Sequence, residues 1–186
     1  MKISGLNRTV IAVALVVAIA TIMILSAARG ATAAGVDEDA QAALKKLYAS
    51  EPAAMMLSEK ARAILVFPTI IKAGFLGAAH YGEGVLIQNG QVAGHYNSVA
   101  ASYGFQAGAQ AYAYAMFLMT DKALEYLDQS SGWELGVGPS IVVVKKGMGK
   151  SLTTTTIKDD VYAFIFNQKG LMGGGGIQGS KITKIK

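Results

Sequence analysis

The chain contains no cysteine at all. That excludes a disulfide framework, a thiolate zinc site, an iron–sulfur cluster, a thiol nucleophile and lipid attachment at a lipobox cysteine. Charged residues are scarce, at 16%, against 52% apolar residues. A disordered chain shows the opposite balance, so 186 residues of this composition imply one domain with a substantial core. Histidine occurs only twice, at His80 and His95, with no H-x-x-x-H spacing to suggest a metal site. Three prolines are present, and Pro52 and Pro68 both read as element boundaries.

Charge of one sign is also locally missing. The total is +5, which first suggests an anionic partner such as nucleic acid or an acidic membrane. Lys2, Arg8 and Arg29 lie in the first 34 residues, and without them fourteen basic groups face twelve acidic ones, a balance of +2. Residues 35–140 hold six basic and ten acidic groups, a balance of −4. Residues 141–186 hold eight lysines against Asp159 and Asp160, a balance of +6. The small net charge argues against nucleic acid, and the basic C-terminal third remains.

Residues 1–34 have the three-part pattern of a secretory signal peptide. Lys2 and Arg8 form the n-region, Val10 to Leu25 is uncharged, and Ala31-Thr32-Ala33 fits an A-x-A cleavage site. The alternative is an uncleaved inner-membrane anchor over 10–28, a run that nearly reaches spanning length. Either way the expected organisation is an address at 1–34 and a single exported domain at 35–186, with a periplasmic location if the peptide is cleaved.

Glycine divides that domain. Residues 36–73 contain none, whereas 74–179 contain nineteen. The glycine-free part reads as helix, with Val36, Ala40, Ala43, Leu44, Leu47 and Tyr48 at helical spacing. Asp37 or Asp39 is placed to cap it, and Ser58 to cap a short second helix. Ile64 to Phe67 reads as a buried strand stopped by Pro68.

From Gly74 onward the pattern is β. Separate strands are expected at Phe75–Tyr81, Gly84–Gln88 and Gln91–Tyr96, with Asn89-Gly90 as a type I′ hairpin turn. Phe105 to Leu118 alternates with period two and reads as one long or bent strand. Thr120 or Asp121 caps a short internal helix. Trp133 to Val137, Ile141 to Val144, a threonine-rich Ser151 to Ile157, Val161 to Phe166, Leu171 to Ile177 and Lys181 to Ile185 complete the strands. Glycines inside strands mark bulges or close backbone approach. The expected fold is α+β: a strongly curved, barrel-like antiparallel sheet with an N-terminal helical layer and one short internal helix.

Several spellings imitate chemistry. Gly147-Met148-Gly149-Lys150-Ser151 ends like a phosphate-binding loop, but Val144 stands where its first glycine belongs and a β-prone run follows. Gly174 to Gly179 spells G-x-G-x-x-G, yet only seven residues follow and none is acidic. Gly138-Pro139-Ser140 lacks the second glycine of a nucleophile elbow. No cofactor or metal site is expected. The lysines are the remaining candidates: Lys145, Lys146, Lys150, Lys158, Lys169, Lys181 and Lys184, with Lys45 and Lys46 on the first helix. Solvated lysines blunt edge strands, while a polybasic face attracts anionic headgroups at about 1 kcal/mol per group.

Ordered motifs run through the domain. They include Lys60 to Pro68, Lys72 to Phe75 with Gly82 to Val85, Ser102 to Gln110, Gly132 to Ser140, Tyr162 to Phe166 and Lys169 to Leu171. Together they resemble the SYLF domain family of lipid-binding, actin-regulator-like domains, over about residues 40–186, and most closely its exported bacterial members. One departure is His95-Tyr96, where many members carry Trp. The resemblance implies binding without catalysis, directed at phosphoinositide-containing membranes and in some members at actin filaments. An exported protein would not meet actin in its own cell, so the expected partner is an anionic lipid or membrane surface. A protein–protein module of the cell envelope is the second reading, and a hydrolase built on His80 or His95 the third.

Overall fold

The computed structural model describes residues 33–129, 133–134, 138–144 and 157–185. Helix α1 (Ala33–Ser50) is followed by α2 (Pro52–Ser58), β1 (Ala63–Gln88), β2 (Gln91–Leu118), α3 (Asp121–Gln129), β3 (Trp133–Glu134), β4 (Ile141–Val144) and β5 (Val161–Lys184). The sheet order is β1-β2-β5-β3, and β4 also pairs with β5. The fold is α+β. The expectation of a purely antiparallel sheet is corrected at β4, which runs parallel to β5 from Ile141↔Val161 to Val144↔Phe164.

The helices differ from expectation at their ends. Helix α1 begins at Ala33, which places Asp37 and Asp39 inside it and not at its cap. Ser58 ends α2, its Oγ donating to the Met55 carbonyl at 2.6 Å, and so does not start it. Pro52 stands in the first turn, where its missing N–H costs nothing. Thr120 caps α3, its Oγ1 accepting from the Ala123 amide at 3.2 Å.

Three strands of 26, 28 and 24 residues replace the many short ones expected. Pro68 does not stop β1, because the ladder slips there between Phe67 and Ile70 on an edge strand that needs no donor at every position. Asn89 and Gly90, at φ 51 and 78, form the expected tight turn between β1 and β2.

β1 turns back on itself at Leu76, which has φ 61. Its arms, residues 63–74 and 77–88, pack face to face, as the glycines of the second arm show. A Cβ on Gly84 would strike the Val66 carbonyl and come 2.6 Å from the Phe67 ring. One on Gly82 would lie 2.7 Å from Ile70. β2 and β5 bend with β1: β2 stays in register with β5 across this level and pairs with β1 on either side of an irregularity between Phe75 and Gly77.

Two apolar clusters result. On one face, α1 and α2 cover Ile64, Val66, Val85, Ala115, Phe117, Tyr162 and Phe164. The other contains Leu65, Phe67 and Ile70 from the first arm of β1, Leu86 from the second, Tyr96 and Met116 from β2, and Ala123 and Leu127 of α3. Asp160 ties this end together. It accepts from Thr120 Oγ1 at 2.9 Å and from the Ser140 amide at 3.0 Å, and those bonds hold its carboxyl below the usual range.

Candidate binding surface

The bend has a different chemistry from the end covered by helices. Four buried polar side chains line it: His80, Ser98, Ser102 and Gln106. His80 Nε2 lies 3.0 Å from Ser98 Oγ, and its Nδ1 lies 3.3 Å from the Tyr112 hydroxyl, so His80 joins the two arms. Burial, with Lys72 adding to it, pushes the His80 pKa down to about 4. The ring is therefore neutral at pH 7 and serves as one donor and one acceptor. Gln106 Nε2 donates to Ser102 Oγ at 2.9 Å, and Ser102 also bonds the Ala78 carbonyl at 3.2 Å.

This Ser98–His80–Tyr112 chain has the order of a nucleophile, a base and an orienting group. Ser98 and His80 are 3% and 6% exposed, however, so the chain sits behind the sheet and out of reach of a substrate. His95 lies apart, with Nε2 2.8 Å from Asp37 Oδ1, and fastens α1 to β2. The two histidines thus have separate partners. Among the described residues no group of three His, Asp or Glu is placed to hold a metal ion.

The outer surface of the bend is apolar. Phe75, Leu76, Tyr103 and Leu171 are 59, 52, 85 and 89% exposed. The ladder brings them into one band: Phe75 faces Ala107, Gly77 faces Tyr103, and Leu171 faces Ala109. Ala79, Ala101, Ala107 and Ala109 are exposed around them. Period two explains the arrangement. Ser98, Ala100, Ser102 and Gln106 are buried, whereas Val99, Ala101 and Tyr103 are exposed.

The lysines divide by place. Lys169 is exposed on β5 two residues from Leu171, and Lys181 is exposed opposite Val99. Lys184 lies at the other end, 3.4 Å from Asp128 and 5.9 Å from the centre of the Tyr96 ring. Lys45 and Lys46 are exposed on α1, and Lys158 precedes β5. Lys145, Lys146 and Lys150 lie outside the described residues, as does most of the expected Ser151–Ile157 strand. Lys72, half-buried on β1 opposite Gln110, was not among the candidates but stands near the bend. Sequence reasoning also missed the apolar band, although the alternation from Ser98 to Gln106 carried the signal.

Residues 99–186 match the family model described as Ysc84, Las17-binding protein actin regulator. That is the SYLF family which the sequence motifs resemble, and the matched segment, a little under half of the chain, carries most of β2 and all of α3, β3, β4 and β5. It is a family of binding domains. Comparison with curated proteins gives no significant match.

Proposed function

We propose that the domain is a non-catalytic module that binds anionic membrane surfaces. The observation that supports this most directly is the charge of the three long strands. β2 and β5 contain no acidic residue, and β1 contains only Glu83, whose carboxylate accepts from the Tyr81 hydroxyl at 2.7 Å. Lys72 and Lys169 stand on the same strands near the bend, and Lys181 stands farther along β5, opposite Glu134 of β3. An acid-poor, lysine-bearing surface is attracted to anionic headgroups, and the attraction weakens with salt. The expected export of the chain would place this surface in the periplasm, facing an envelope membrane.

Co-sedimentation of the full chain with anionic and neutral vesicles tests the proposal. Binding should favour anionic vesicles, fall as salt rises, and weaken about tenfold in a Lys169→Glu/Lys181→Glu variant. Comparing variants within the full chain cancels any contribution of the apolar run at 10–28. Equal, salt-independent binding to both vesicle types overturns the reading. The family description favours a protein partner as the second reading. Crosslinking in intact cells that traps one protein and no lipid would select it.

A further inference from the structure

The geometry points to the bend of the sheet as a wedge that enters the hydrocarbon boundary of an anionic bilayer. This rests on the proposed membrane binding and assigns its depth and its residues. The observation behind it is an inversion. Near α1, α2 and α3 the sheet buries apolar residues on both faces. At the bend it buries His80, Ser98, Ser102 and Gln106 and exposes Phe75, Leu76, Tyr103 and Leu171. Polar side chains inside and apolar ones outside is the arrangement of strands surrounded by lipid. In water, a cluster of exposed large apolar side chains marks an interaction site.

The occupant follows from the charges beside the band. A second copy docked by two-fold symmetry would set two acid-poor, lysine-bearing bands against each other, with no carboxylate on β2 or β5 to pair them. A bilayer with anionic headgroups receives those lysines at the headgroup level and the apolar side chains below it. The band extends only a few residues on either side of Leu76, so entry is shallow, about 5–10 Å into the boundary between headgroups and acyl chains. At the bend β2 is paired on both sides while β1 and β5 are edges, so entry stops at the interfacial level, where water still reaches the edge groups.

The cysteine-free chain provides the test. Leu171→Cys and Phe75→Cys each give a single attachment point for an environment-sensitive fluorophore, and Gln129→Cys on α3 is the control. With phosphatidylcholine–phosphatidylglycerol vesicles, labels at 171 and 75 should shift to the blue and be quenched by nitroxides high on the acyl chains, while the label at 129 stays unchanged. Leu171→Ser should fold normally and weaken partitioning about tenfold. Binding with no shift at 171 overturns insertion and leaves surface attraction standing. Equal shifts with anionic and neutral vesicles support insertion and overturn the charge reading. A concentration-dependent shift without vesicles, or no binding to vesicles of either kind, overturns insertion.

Discussion

The two ends of the long strands differ although the same strands build both. At the end held by helices, Phe67 and Phe117 are fully buried and each packs on an aromatic partner, Tyr114 at 6.3 Å and Phe164 at 5.4 Å between ring centres. At the bend the buried contacts are hydrogen bonds and the large apolar side chains face out. Glycine and alanine crowd the bend, while β-branched and aromatic residues, which favour strands, fill the covered end. The cover differs too: α1, α2 and α3 shield one end, and among the described residues no helix lies over the other. The covered end therefore carries the stability, and the bend is the part left open for the proposed membrane contact.

Substitutions can break this contrast. The largest effect should come from Phe67→Ala, a loss of about 3–5 kcal/mol in denaturant unfolding from the cavity left behind. A loss below 1 kcal/mol there would refute the assignment of stability to the covered end.

The next is a dependence on pH set by His80. Its folded pKa, about 4, lies below the ordinary 6.5, so the unfolded chain binds more protons between these values. Stability should be complete above pH 6.5 and fall as pH drops toward 4, by on the order of 2 kcal/mol after allowing for partial solvent screening. His80→Gln should flatten that slope in urea titrations.

Gly84→Ala should cost about 1–3 kcal/mol by forcing apart the arms at Val66 and Phe67. Gly173→Ala, with open space at its Cβ, should be close to neutral. Thr120→Ala should remove about 1 kcal/mol through the lost cap of α3. The smallest effect is expected for Leu171→Ala, within about 0.5 kcal/mol of the wild type, because the side chain is almost fully exposed. Thermal unfolding of these four variants in parallel gives the ranking.

Local signals were legible in the sequence. Asn89-Gly90 announced the hairpin, because both positions need positive φ. The spacing of Val36, Ala40, Ala43, Leu44 and Leu47 announced the buried face of α1. Strand lengths were not legible. Gly82 fell in an expected break and Gly84 at the start of a separate strand, whereas their role is to admit Ile70 and Phe67 of the other arm, a contact no local window contains. Lysines were readable as charge but not as places. Lys169 reaches the bend, while Lys184 is engaged by Asp128 at the other end, and only the three-dimensional register separates them. Phe75, Tyr103 and Leu171 belong to three different strands and come together through the same register.

β5 is the last strand in the chain and pairs with β2, β3 and β4. Its pairs Ile182 and Lys184 with Ser98 and Tyr96 join segments more than 80 residues apart in the chain. The β1–β2 hairpin can zip from its tight turn, but β2 gains its second neighbour only when this distant strand arrives, and pairings so far apart in sequence form slowly. Until then β2 presents a long open edge, the kind of edge that pairs with another chain.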